Sequence, residues 1–154
     1  MSAKLGLDIR PADSPARILA EADIVCTASS SSTPLFDGSL VRPGTHINGI
    51  GSHSPNAREL DTAIIQRSKV VADSLEACLK EAGDIMIPLH EGAISQAHIH
   101  AELGEIVLGR KPARANPQEI TLFKSNGLAI QDAATAKLVY DRARQSGIGQ
   151  DVVL

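Results

Sequence analysis

Four short apolar runs limit what this chain can fold into more than any other feature. Ile24-Val25-Cys26-Thr27-Ala28, the stretch from Thr45 to Gly51, Lys69-Val70-Val71-Ala72 and Ile120 to Phe123 lack the alternation of a strand with one wet face. Runs of this kind fit parallel strands covered on both sides. Helical patterns lie between them. Ser14-Pro15 supplies an N-cap and a first-turn proline for a helix over 15–22. A second helix is predicted over 58–67, with Glu59 and Asp61 in its first turn. Asp73 and Glu76 have capping-box spacing for a third, which carries Leu75, Cys78, Leu79 and Ala82 on one side. Ile99, Leu103, Ile106 and Val107 mark a helix opened by Ser95 and closed by Gly109. Residues 84–92 read as loop or edge, and Leu5 to Ile9 as a further short strand. Strands alternating with helices imply an α/β, doubly wound, mostly parallel sheet.

The stretch from Leu122 to Tyr140 organises the rest. An apolar strand reaches Phe123, Gly127 breaks it, and an Ala-rich helix runs to about Arg144. Along that helix Ala129, Ala133, Ala136, Tyr140 and Ala143 form a seam of mostly small side chains, suited to close packing by another helix. The tail over 147–154 is expected to be loose.

At 154 residues, one domain with a sizeable core is expected. A net charge of −3 and three aromatic residues, two Phe and one Tyr, offer neither the footprint nor the stacking surfaces of a nucleic-acid binder. No segment has the length of a membrane span and no basic-then-apolar leader opens the chain, so a cytoplasmic protein with a small-molecule or protein partner is expected. Cys26 and Cys78 lack CxxC spacing and read as reduced thiols.

Ligands of parallel sheets bind in the turns beyond the carboxyl ends of strands. That rule selects the serine run Ser29 to Ser32, the glycine-ended run Gly49-Ile50-Gly51, and the turn at Ser125 and Asn126. Ser125 and Asn126 read equally well as helix caps. His53 follows the glycine-ended strand, where an imidazole could move a proton; the plainer reading is an exposed loop histidine. His98, Glu102 and Glu105 share a helical face, but a solvated surface explains them better than a metal, and no metal site is expected. GxSxG and GxxxxGK[ST] are absent, and so is GxGxxG with its acidic partner.

Three blocks carry a specific resemblance. Thr45-His46-Ile47-Asn48-Gly49-Ile50-Gly51-Ser52-His53-Ser54-Pro55-Asn56-Ala57-Arg58-Glu59-Leu60-Asp61, Ala101 to Ile106, and Ile120 to Asp132 resemble, in order, the ornithine cyclodeaminase and mu-crystallin family. The resemblance implies NAD(P)-dependent hydride transfer on amino acids or cyclic imines by a two-domain homodimer. Thr27, Ala28 and Ser29 would then contact the cofactor. Ile50 and Gly51 would line the nicotinamide pocket, and Ser125 and Asn126 would close over it. Cyclodeaminases of the family place an aspartate where this chain has His53, which favours ketimine-reductase-like chemistry over ornithine cyclodeamination.

Relative to the family the chain begins after the first two strands of the Rossmann-like sheet. Residues 1–127 are expected to form an incomplete NAD(P)-binding domain. Residues 128–154 are expected to form a helix and tail that pack toward a dimerisation domain. Without the glycine-rich phosphate turn, NAD or NADP binding by this chain alone is expected to be weak or absent, and the chain inactive. The other reading is a non-catalytic, mu-crystallin-like binding or structural protein, or a degenerate remnant.

Overall fold

The computed structural model describes residues 1–150 and Val152. Its centre is a five-stranded sheet in which every pairing is parallel: β1 (Ile24–Thr27), β2 (His46–Gly49), β3 (Ser68–Ala72), β4 (Ile99–Glu102) and β5 (Ile120–Lys124), in the spatial order β1-β2-β5-β3-β4. The last strand in sequence therefore lies in the middle. Thr121 to Lys124 pair with His46 to Gly49 on one side, and Ser68 to Ala72 pair with Ile120 to Lys124 on the other.

One face of this sheet is covered. Ile47, Val70, Ala72, Ile120 and Leu122 point into a core completed by Ile64 and Ile65 of α3 (Thr62–Arg67), Cys78 of α4 (Leu75–Glu81), Ala82, and Ile85 of α5 (Gly83–His90). Along β2, β3 and β5 buried residues alternate with half-buried ones. The expectation of burial on both faces is thus corrected. The second face, at His46, Asn48, Lys69, Val71, Thr121 and Phe123, borders a cavity of about 420 Å³ that α6 (Leu103–Val107) only partly roofs. The polar residues His46, Asn48 and Thr121, which alternate with buried Ile47, Ile120 and Leu122, mark the open face; weighing only the apolar residues of these runs hides it.

Other departures have local causes. Leu5 to Ile9 is not a strand: α1 (Ser2–Leu5) ends at Gly6, whose φ of +63° stops it, and Ile9 is tied to the Ser2 hydroxyl instead of a ladder. The helix α2 spans only Pro15–Leu19. The helix expected from residue 58 starts at Thr62, because Asp61 caps it through the Ile64 amide at 2.9 Å. Ser74, not Asp73, caps α4. Residues 83–90, read as loop or edge, form α5 despite Pro88. The helix expected from Ser95 to Gly109 is split: Gln96–His98 makes one 3-10 turn, Ile99 and Ala101 pair with β3, and only Leu103–Val107 is α-helical. Helical spacing over that stretch was overridden by a vacant ladder on β3.

The helix α7 (Ala129–Ser146) closes the order, with Gly147 left-handed at its carboxyl end. None of its residues is buried, and Ile130, Leu138, Val139 and Tyr140 are exposed. The small-residue seam meets no helix among the described residues. Of the tail expected to be loose, residues 151, 153 and 154 lie outside the described residues.

Candidate functional site

The carboxyl ends of β1, β2 and β5 are adjacent, so three loops meet at one crest of the sheet. Thr27 is buried at the end of β1, and its carbonyl accepts from the amides of Ile50 at 2.8 Å and Gly51 at 3.2 Å. Ser125, after β5, donates its amide to the Gly49 carbonyl at 3.1 Å. Ala28 and Ser29 are exposed on the first loop, as is Ile50 on the second. Thr27, Ala28, Ser29, Ile50, Gly51, Ser125 and Asn126 therefore all stand at this crest. His53 hangs from the second loop, exposed, with Nδ1 2.8 Å from the Gly51 carbonyl. In the neutral ring that contact places the proton on Nδ1 and leaves Nε2 to face solvent.

Beneath the crest lies a set of buried charged groups that sequence reasoning missed. Glu59 is fully buried; its two oxygens accept from the Ser29 amide and from the Gly51 amide, the latter at 2.8 Å. Burial pushes its pKa up, but hydrogen bonds from Ser29 and Gly51 outweigh that and hold the carboxyl below the usual glutamate range. Asp73 gathers the third loop: Oδ2 accepts from the Ser125 hydroxyl at 2.8 Å and from the amides of Asn126 at 2.8 Å and Gly127 at 2.9 Å. Its Oδ1 accepts from the Ser74 amide at 2.7 Å. Asp84, fully buried, accepts the amides of Glu59 at 2.8 Å and Leu60 at 3.0 Å. Burial raises its pKa against the pull of those amides and of Lys124. Lys124, at the end of β5, donates to the carbonyls of Gly49 and Ser125, each at 3.1 Å.

Sequence held one usable signal for this layer. Lys124 closes an otherwise apolar strand, and a lysine there needs buried acceptors. Glu59 and Asp73 were assigned to helix starts, where acids are common, so nothing in the spacing marked them as reaching across the sheet. Ser125 and Asn126 do not cap the following helix: α7 begins at Ala129 with Leu128 at its N-cap, and the turn is bonded back to Asp73.

Glycine is required where the loops meet. A Cβ on Gly51 would lie 2.3 Å from Glu59 Oε1 and 2.4 Å from the Ser29 carbonyl oxygen. The absent side chain at Gly51 lets the loops after β1 and β2 close onto Glu59, with Ile50 exposed beside them.

A dinucleotide makes two demands on such a crest, and the structure meets them unequally. A ring could lie on the exposed Ile50–Gly51 backbone between Ser29 and the Ser125 turn. A diphosphate needs unbonded amides, and those of Ser29, Gly51, Asn126 and Gly127 already serve carboxylates. The residues present fit the ring end of a nicotinamide nucleotide and not its diphosphate. The 420 Å³ cavity on the open sheet face is lined by none of the predicted site residues.

Fold and crest define an α/β protein with a parallel sheet whose carboxyl-end loops form the candidate ligand site. The chain belongs to the ornithine cyclodeaminase/mu-crystallin family, whose profile matches residues 1–147. It is 45% identical over 135 residues to a Delta(1)-pyrroline-2-carboxylate reductase of Bacillus cereus, covering 87% of this chain and 41% of the relative. Ketimine reductase mu-crystallin of Macropus fuliginosus is 42% identical over 134 residues, covering 87% of this chain and 40% of the relative. Among solved structures, the Delta(1)-pyrroline-2-carboxylate reductase of Thermococcus litoralis, in complex with NADH and L-proline, superposes with a TM-score of 0.92 at 49% identity. That match covers 98% of this chain and 47% of the other. The chain therefore spans less than half the length of each of these relatives.

Proposed function

We propose that this chain is the carboxyl-side portion of an NAD(P)-dependent reductase of cyclic imines, and that its crest holds the nicotinamide ring and the reacting imine carbon. The observation that carries the reading is the convergence of Thr27, Ser29, Ile50, Gly51 and Ser125 on one crest, with His53 suspended from the Gly51 carbonyl beside them. The names of the relatives support it, since a pyrroline-2-carboxylate reductase bound to NADH and L-proline shares the fold at 49% identity. When bound, the nicotinamide cofactor supplies the hydride. The work of this chain's own residues is separate. Ile50 and the Gly51 backbone give the floor, the Ser125–Asn126 turn flanks it, and His53 Nε2 delivers a proton to the imine nitrogen when the ring is doubly protonated. An aspartate at that position would suit the amine-bound chemistry of a cyclodeaminase, so imine reduction is favoured over ornithine cyclodeamination.

In this reading residues 1–127 supply the ring half of the cofactor domain, and the diphosphate is gripped by groups outside the 154 residues. The chain by itself is then inactive and binds NAD or NADP weakly. The exposed apolar residues of α7, Ile130, Leu138, Val139 and Tyr140, support an interface role for residues 128–154 and a homodimeric assembly. Among the described residues no helix is long and apolar enough to cross a membrane. The occupied crest amides favour one alternative, a non-catalytic binding or structural protein in the manner of mu-crystallin.

A chimera joining this chain to the amino-terminal part of the Bacillus cereus relative separates the readings. The proposal expects NADH oxidation that depends on Delta(1)-pyrroline-2-carboxylate and no ammonia release from ornithine. A folded, NADH-binding chimera that leaves the imine untouched supports the non-catalytic alternative.

A further inference from the structure

Three loops that leave different strands must hold a common geometry if a flat ring is to lie between them; backbone bonds from Ile50 and Gly51 to Thr27 and from Ser125 to Gly49 tie their bases, and the residues beyond need further anchors. Two buried carboxylates supply them here. Glu59 takes the Ser29 amide with one oxygen and the Gly51 amide with the other, so a single side chain spans the loops after β1 and β2. It is itself immobilised: its amide is bonded to Asp84, its carbonyl accepts from Leu35 at 2.8 Å, and none of its surface is exposed. Asp73, at the end of β3, holds the loop after β5 by three bonds to Ser125, Asn126 and Gly127. Glu59 meets its two donors with separate oxygens, which only an ionised carboxyl group offers at once, whereas Asp73 holds its loop through Oδ2 alone and takes the Ser74 amide on Oδ1.

We propose that Glu59 and Asp73 are positioning residues of the ring site, each responsible for a separate part of it: Glu59 for the Ser29–Gly51 side and Asp73 for the Ser125–Gly127 side. The identity of the ring rests on the nicotinamide reading above, whereas the division of labour rests on the hydrogen bonds alone. The two carboxylates share no donor, so loss of one leaves the other's loop in place. Occupying the amides with fixed negative charge also makes the crest unfavourable for a phosphate and suited to an uncharged or cationic ring.

The test uses the whole chain, labelled with ¹⁵N, in four forms: unchanged, E59Q, E59D and D73A, the last because asparagine would keep the single oxygen that all three loop donors share. An amide side chain keeps the shape of Glu59 but has only one acceptor oxygen, so E59Q must release one of the two loops; the shorter E59D keeps the charge but shortens the reach. Hydrogen exchange of individual amides is the first readout. The expected result is at least tenfold faster exchange at Ser29 or Gly51 in E59Q with Asn126 and Gly127 unchanged, and the reverse pattern in D73A. Partial return of protection in E59D supports a requirement for charge. Lowering pH in the unchanged chain must release the same loop that E59Q releases as Glu59 protonates, a titration that E59Q lacks. Unaltered Ser29 and Gly51 exchange in E59Q, or equal loosening of all three loops by either variant, overturns the proposal. Addition of NADH at millimolar concentration is the second readout, with line broadening expected at Ile50 and Gly51 and weakened in E59Q. If the loop-specific loosening occurs but NADH perturbs no loop in any form, the positioning assignment stands and the nicotinamide reading is what fails.

Discussion

Lys124 Nζ lies 3.6 Å from Asp84 Oδ2, and neither side chain exposes any surface. The pair stands at the floor of the crest. Lys124 reaches the carbonyls of Gly49 and Ser125, while Asp84 binds the amides of Glu59 and Leu60, so one ion pair connects the strand ends to the segment carrying Glu59. Removing one partner strands the other's charge in the core. K124M is therefore expected to destabilise the fold by about 3–5 kcal/mol in urea denaturation, and K124M/D84L by much less than the sum of the two single changes. Additive losses would show that the two groups do not interact.

The acid limb of stability should carry the signature of Glu59. Its folded pKa is lowered relative to an ordinary glutamate, so its contribution is complete above the unfolded value and is lost as pH falls through the lowered folded value. Asp84 has the opposite sign: its raised folded pKa means that stability is surrendered as pH rises from the unfolded value through the folded one. Denaturant melts across the acidic range should thus show a shallower loss of stability on acidification in E59Q than in the unchanged chain. An identical slope would mean that Glu59 carries no such linkage.

The two thiols should differ in reactivity. Cys78 is buried, and burial followed by the negative charge of Asp73 pushes its pKa up to about 12. Cys26 is exposed at the outer strand β1. Native alkylation followed by mass spectrometry is expected to label Cys26 alone, with Cys78 reacting only after denaturation. Early labelling of Cys78 would contradict the packing of α4 on the sheet.

Two glycines make a matched comparison. At Gly51 a methyl group would meet Glu59 and the Ser29 carbonyl well inside contact distance, and G51A is expected to cost about 1–3 kcal/mol by overpacking. Gly104 in α6 has nothing within 4 Å of an added Cβ and lacks a left-handed φ, so G104A is expected to stabilise by roughly 0.4–1 kcal/mol. Thermal melts of both variants check the pair, and equal shifts would count against the crest geometry.

In a chimera that reduces the imine, H53A is expected to lower turnover about tenfold or more, the smaller end of an acid–base contribution. Retention of full turnover would return His53 to an exposed loop histidine bonded to Gly51.

What could be read from the residues divides along physical lines. Parallel strands announced themselves through apolar runs, and the rule that ligands gather beyond strand ends brought Ser29, Gly51 and Ser125 to the same crest before any coordinates. The strand at Ile99–Glu102 was hidden, because its spacing also suits a helix and only the vacant edge of β3 decides between them. Buried carboxylates were hidden for a different reason. Glu59 and Asp73 precede helices, where acids are expected, and their true partners lie 30 and 52 residues away at Ser29 and Ser125. Local pattern carries no information about pairings at that separation.

Titration calorimetry of the isolated 154-residue chain with NADH and NADPH tests the central claim, that the crest accepts a ring while the amides of Ser29, Gly51, Asn126 and Gly127 are committed to carboxylates and not to a diphosphate. Weak heats that fail to saturate are predicted with either nucleotide. A saturating isotherm with an affinity in the low micromolar range would contradict this, because a diphosphate would then have found a grip that Glu59 and Asp73 leave no room for.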